Sequence, residues 1–318
     1  MFFQTAGIEV SPIIPPLVAF IISFFTSMGG VSGAFLLLPF QVSFLGYTNP
    51  SVSATNQVFN IIAIPSGVYR YCKEGRMVWP LTAIIIAGTL PGVFIGAYVR
   101  VACLPDPRNF KLFAAFILLY IGIKMVVDRL KKPVINDSSC VNKSFKEMED
   151  KQKKEASGSG EENSNLSLKV KVTHFSLKRL SYVFYGETFS VSFWSIFTLS
   201  FIVGVVGGTY GIGGGAIIAP FLITSFGLPV YTVAGAALMG TFVTSIAGVT
   251  FYHIIAPFYP EMSVAPDWFL GILFGIGGMA GIYFGARCQK FVPSTAIKWM
   301  LAMIIIFTGI KYIYDFFM

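Results

Sequence analysis

The chain has 318 residues, 55% of them hydrophobic and 12% charged, with a formal net charge of +8 and a mean hydropathy of +0.72. A soluble domain carries about a quarter of its residues as charge, so this composition excludes one and predicts an integral membrane protein. The basic residues sit in loops flanking apolar segments, where they set orientation and do not signal nucleic-acid binding.

The first stretch, MFFQTAGIEVSP, lacks the basic region of a cleavable signal peptide. Apolar segments then run roughly as Ile13–Leu45, Val52–Tyr69, Trp79–Val101 and Phe110–Val127. They are continuous and helix-length, without the alternation of an outer-membrane barrel. A polar insert follows, from Arg129 to about Thr188. Its first part, NDSSCVNKSFKEMEDKQKKEASGSGEENSN, is rich in Ser, Lys, Glu and Gly and is expected to be disordered. The second, LKVKVTHFSLKRLSYVFYGETFSVS, alternates apolar and polar residues around a Tyr-Gly-Glu turn, which predicts a small β-hairpin outside the membrane. Apolar segments resume at Val191–Phe226, Tyr231–Ile255, Trp268–Cys288 and Ala296–Phe317.

The two halves repeat. GVSGAFLLLPF from Gly30 is matched by GIGGGAIIAPF from Gly211, GVFIGA from Gly92 by GIYFGA from Gly281, and IGIKMVVD by TGIKYIYD. The matches keep their order, which predicts a duplicated four-segment unit of the kind found in transporters and channels. The expected organisation is a first membrane repeat over residues 1–128, the insert over 129–188, and a second repeat over 189–318. The first segment of each half is too long for one span. About 33 residues make roughly 50 Å of helix, against about 30 Å of hydrocarbon. Its glycine cluster divides it into either a tilted broken helix or a re-entrant hairpin. With hairpins, Arg70, Lys73, Arg76, the insert and Arg287, Lys290 and Lys298 fall on one face, opposite the uncharged TNP and APFYP loops with Arg100, Arg108, Lys111 and Lys311. The positive-inside rule therefore favours hairpins and a cytoplasmic insert. The fold class expected is an all-α polytopic membrane protein of two inverted repeats with a small cytoplasmic β-hairpin insert, multi-pass in the plasma membrane.

A helix broken at GIGGG leaves the first N–H groups of the next half-helix unpaired inside the bilayer. With the helix dipole they form an anion cradle that needs no lysine or arginine. The candidate cradle residues are Gly30, Ser32 and Gly33 in the first half, and Gly211, Gly213, Gly214 and Gly215 in the second, with Tyr210 beside them as a donor or gate. The following segment of each half carries polar side chains on one face. These are Asn56 and Asn60 with Gln57 adjacent, and Thr241 and Ser245 with Thr244 adjacent. Gly92, Gly96, Gly281 and Gly285 read instead as helix-packing glycines. His253 and Lys124 read as interfacial residues near helix ends.

Every Asp and Glu lies in a loop, in the insert or near a helix end, Asp128 and Asp315 included, so no intramembrane cation or proton path is indicated. Catalytic motifs such as HExxH, GxSxG and Walker A are absent, which predicts no enzyme and no cofactor. Cys72, Cys103, Cys140 and Cys288 have no CxxC or histidine partner and read as free thiols, not metal ligands.

The string GIGGGAIIAP, followed by GLP and AGAALMGTFVTSIAG, resembles the TauE/SafE sulfite/sulfonate exporter family, also called the toluene sulfonate uptake permease family. The likeness covers both membrane halves. It is close in the second, while the first half departs with GVSGA and ATNQ. The resemblance implies transport of small sulfur-containing anions such as sulfite, sulfonates, sulfoacetate or thiosulfate. The function expected is a secondary transporter working by alternating access. The alternatives are a carrier or channel for another small anion, such as a carboxylate, and a non-transporting accessory subunit. The expected partners are the anionic substrate and the lipid bilayer, with no nucleic acid, and pairing as a homodimer stays open.

Overall fold

The computed structural model describes residues 1–29, 32–73, 75–130, 170–184, 187–288 and 294–317. The stretch of the insert expected to be disordered, and Gly30, lie outside them. Among the described residues the protein is mostly helical. A two-stranded N-terminal ribbon, β1 (Phe2–Phe3) and β2 (Ile8–Glu9), leads to α1 (Ile14–Gly29), α2 (Ala34–Ser43), α3 (Ser51–Ala63), α4 (Pro65–Lys73), α5 (Trp79–Ala102) and α6 (Pro107–Leu130). Strands β3 (Lys171–Phe175), β4 (Arg179–Phe184) and β5 (Glu187–Ser192) follow. The chain then continues as α7 (Phe193–Tyr210), α8 (Gly215–Phe226), α9 (Val230–Ile255), α10 (Trp268–Cys288) and α11 (Ser294–Phe317). Among the described residues four stretches are long and apolar enough to cross a membrane: Trp79–Ala102, Phe193–Tyr210, Thr232–Phe258 and Trp268–Gly285. The stretches Ile14–Ser27 and Ala34–Ser43 are shorter apolar helices, because the glycine cluster interrupts what would otherwise be one long segment.

Pro65 separates α3 from α4. It offers no N–H to continue the ladder, and α3 ends with the Ile64 N–H bonded to Asn60 O. The related stretch of the second half has no proline there and runs unbroken as α9.

At the second glycine cluster the chain turns back on itself. Gly211 (φ +83°) caps α7 in the left-handed region and Gly213 (φ +75°) follows, a conformation that glycine adopts without a Cβ penalty. The return is tight. A Cβ on Gly207 would lie 2.6 Å from Gly213 O, and one on Gly214 would lie 3.4 Å from Gly204 Cα. Val203 and Val206 of α7 accordingly share an apolar groove with Ile217 and Phe221 of α8.

Glycines also set the tightest helix pairs. Along α5, Gly88, Gly92 and Gly96 face the backbone of Phe197–Phe201, Phe201–Val205 and Val205–Thr209 in turn, so α5 and α7 run parallel in close contact. In the same way Gly277, Gly281 and Gly285 of α10 face Pro16, Phe20 and Phe24 of α1. The packing role expected for Gly92, Gly96, Gly281 and Gly285 is what these contacts describe. Helices α3 and α9 pass in opposite directions, with Gln57 against Gly248 and Asn60 against Ser245. Helices α6 and α11 also run antiparallel, Gly122 meeting Ile306 while Arg108 donates to Phe316 O.

These contacts gather the helix ends on two sides. On one, the Tyr182 and Thr232 hydroxyls of β4 and α9 share a hydrogen bond of 2.9 Å, and Val170 N–H donates to Gly75 O. The starts of α7 and α9 therefore both lie at the sheet. On the other, Ser51 N–H donates to Ser263 O, and the Ser263 hydroxyl donates to Thr5 O. That side holds the N-terminal ribbon, the start of α3 and the loop before α10. Asp267 caps α10 there, accepting from the N–H groups of Leu270 and Ala6.

The polar insert contributes one strand more than the hairpin its Tyr-Gly-Glu turn predicts. Strands β4 and β5 pair antiparallel with Phe184 opposite Glu187, while β3 adds an outer strand with Lys171 opposite Val183. The face built by Leu180, Tyr182, Phe184 and Val191 is buried, whereas every residue of β3 is exposed. The alternation in LKVKVTHF is thus an edge strand that extends the hairpin.

Candidate functional site

Both glycine breaks meet at α3. The Asn56 Nδ2 group donates to Ala34 O, in the first turn of α2, at 2.9 Å, and to Gly211 O, at the end of α7, at 3.1 Å. Its Oδ1 accepts from Gln41 Nε2 at 3.4 Å. One turn along, Asn60 Nδ2 donates to Ile212 O at 3.0 Å and to Ser245 Oγ at 3.3 Å. The four-residue spacing that places these amides on one helix face also places them at the two breaks.

Across the site, Thr244 Oγ1 accepts from the Gly214 N–H at 3.3 Å. Thr241 packs its methyl near Gly213 and its hydroxyl near Gly215, while donating to Ala237 O. The Tyr210 hydroxyl donates to Phe35 O of α2 at 3.1 Å, a second bond between the breaks. Ser32 Oγ accepts from the Ala34 N–H, and Gly33 precedes α2 without a side-chain cap, as Gly214 precedes α8. Asn56, Gln57, Asn60, Tyr210, Thr244 and Ser245 are all fully buried. Of the sequence candidates, the structure therefore gathers Ser32, Gly33, Asn56, Asn60, Tyr210, Gly211, Gly213, Gly214, Gly215, Thr241, Thr244 and Ser245 at one place.

Gln57 differs from its neighbours. It points at Gly248 of α9, and both its amide atoms are buried without a partner. Gln41 Oε1, Asn60 Oδ1 and Ser23 Oγ are likewise buried and unpartnered. Buried polar atoms are ordinarily paired; Ser23 Oγ, Gln41 Oε1 and Asn60 Oδ1 stand beside the breaks, whereas Gln57 lies in the α3–α9 contact. Among the described residues no carboxylate or lysine joins this group, and no set of three His, Cys, Asp or Glu stands close enough to hold a metal.

The sequence reading missed Ser53, whose hydroxyl donates to Thr209 O and whose Cα stands 2.5 Å from a Cβ built on Gly211. It also missed Arg100, which it placed with the loop charges and which is fully buried. Both carry a periodic signal. Ser53 lies three residues before Asn56 on the same face, and Arg100 continues the Gly88–Gly92–Gly96 stripe. Nearby, burial pushes the Tyr47 phenol above its ordinary range, opposed by hydrogen bonds with Ser51 and Thr55, so it remains a neutral donor.

Residues 16–312 match the family described as "Sulfite exporter TauE/SafE". The chain belongs to this family. It is 20% identical over 299 residues, 91% of its own length, to "Probable membrane transporter protein YunE" of Bacillus subtilis (strain 168), covering 92% of that protein. It is 26% identical over 115 residues to "Probable membrane transporter protein YdhB" of the same organism, a match covering 36% of this chain and 44% of that relative. No solved structure matches. The family and the apolar helices make this TauE/SafE member a membrane protein.

Proposed function

We propose that this membrane transporter carries a small sulfur-containing oxyanion, such as sulfite, a sulfonate, sulfoacetate or thiosulfate, held at the two glycine breaks. The observation that carries the reading is Asn56, whose single amide nitrogen bridges the first turn of α2 and the end of α7. Together with Asn60 on Ile212 O it sets the N-termini of α2 and α8 near one buried place, where their partial positive charge favours an anion without a lysine. The family description supplies sulfite as the cargo class.

The mechanism is alternating access between two inverted four-segment repeats, α1–α6 and α7–α11, with α1–α2 and α7–α8 as re-entrant hairpins. The opposed directions of α3 against α9 and of α6 against α11 support this reading. The burial of the whole site fits an occluded state, with release by rocking of one repeat against the other. The side bearing the sheet, Lys73 and Arg76 faces the cytoplasm on the positive-inside rule, and the membrane is the plasma membrane. Asn56, Asn60 and Thr244 hold the backbone of the breaks, and Gln57 is the amide left to contact the cargo.

The test is a thermal-shift panel on the purified protein with sulfite, sulfonates, thiosulfate, sulfate and carboxylates. A saturable stabilisation by sulfur oxyanions, weaker in Gln57→Leu, is expected. Stabilisation by carboxylates alone would assign a different cargo.

A further inference from the structure

Arg100 is a fully buried cation that has no counter-ion among the described residues. It lies on α5 one turn beyond Gly96, whose carbonyl accepts from Thr209 Oγ1 at 3.0 Å, so it stands one turn from the glycine break. Of the five N–H donors of a guanidinium, one on Nη1 goes to Leu104 O and one on Nη2 goes to Thr48 O, the latter at 3.1 Å. The Nε atom is buried and has no partner. Among the described residues no carboxylate pairs with it; the phenols of Tyr252 and Tyr47 interact with it electrostatically, and Asp267 acts on Tyr47 from the far side.

The surroundings lead toward the break. The guanidinium carbon lies 3.8 Å from the Phe110 ring centroid, and the Phe110 ring lies 6.4 Å from that of Tyr210. The Tyr252 hydroxyl donates to Gly208 O at 3.2 Å, closing the other side. Loops 44–50 and 103–106 cover the group with the two carbonyls it binds. A buried charge is costly unless an opposite charge balances it, and two neutral carbonyls with one ring do not. A planar donor edge with spare N–H groups fits two oxygens of a sulfonate, sulfite or sulfate.

We propose that Arg100 is a second anion-binding residue, docking the oxyanion between loop 44–50 and the glycine breaks. The proposal rests on the anion-transport reading above and adds a charged station to its uncharged cradle. Offsetting GVFIGA onto GIYFGA sets Gln289 at the repeat-related position in the sequence.

Isothermal titration of thiosulfate into the purified full-length protein, with Arg100→Lys and Arg100→Gln beside the wild type, tests it. Arg100→Lys keeps the charge but loses the planar fork, and its affinity is expected to fall about tenfold, with a larger fall in Arg100→Gln. Wild-type affinity in Arg100→Gln would overturn the proposal and leave the transport reading standing. Absence of any anion response in the wild type would overturn both. Should either variant fail to fold, phenylglyoxal labelling of the wild type decides. Thiosulfate is expected to slow modification of Arg100, and a rate at Arg100 that thiosulfate leaves unchanged, including none, would show that the residue only caps the end of α5.

Discussion

Asn56 is the residue on which the two halves of the site depend. Replaced by alanine, it removes the donor to Gly211 O and the acceptor of Gln41 Nε2, both buried, at a cost of about 1–3 kcal/mol for each group. Asn56→Ala should therefore lower the midpoint of thermal unfolding in detergent by several degrees, more than Thr250→Ala, whose exposed hydroxyl only bonds back within α9. Equal midpoints would contradict the role given to Asn56. The sequence pointed to Asn56 and Asn60 because polar side chains four apart in an apolar segment are conspicuous. It did not indicate that their N–H groups are spent on backbone carbonyls and not on the cargo. That depends on which acceptors the breaks bring near, and the breaks are set by φ angles no pattern prints. Arg100 escaped for a related reason. A charge four residues from the last glycine of a packing stripe reads as a helix-end charge until loops 44–50 and 103–106 are seen to cover it.

At the scale of elements, the α5–α7 pair is held backbone to backbone along its glycine stripe. A Cβ on Gly92 would stand 2.4 Å from Phe201 O, and on Gly96 2.2 Å from Val205 O. Backbone cannot yield as a side-chain tip can, so even Gly96→Ala should destabilise by about 1–3 kcal/mol, the range of overpacked cores. Gly46→Ala is the control, since nothing lies within 4 Å of that site and only its left-handed φ is strained. Monodispersity after mild heating, read by size exclusion, should fall for Gly96→Ala well before it falls for Gly46→Ala; the reverse order would argue against close packing. This pairing was legible as small residues at four-residue spacing, although the partner helix was not. The sheet was half legible. Strands β4 and β5 are announced by a two-residue turn, whereas β3 has an exposed, weakly alternating sequence that only its pairing with β4 makes a strand.

For the whole molecule, the family could be read from the chain because GIGGGAIIAP and AGAALMGTFVTSIAG carry the resemblance. The direction of each segment could not, since a broken span and a hairpin have the same apolar pattern. Contacts between distant residues, such as Tyr182 with Thr232, carry that information. The proposed topology places Cys72, at the end of α4, and Cys103, after α5, on opposite sides, and both are exposed. An impermeant maleimide added to intact cells should label Cys103 and reach Cys72 only after permeabilisation; labelling of both from outside would refute the topology. The central claim, saturable carriage of a sulfur oxyanion through the glycine breaks, is tested most directly in proteoliposomes. Uptake of labelled thiosulfate should saturate, be competed by sulfite and accelerate when unlabelled thiosulfate is loaded inside. It should be lost in Gly213→Leu protein that still inserts and runs as a single species. Flux no greater than in empty liposomes, or flux unchanged in Gly213→Leu, would contradict the account.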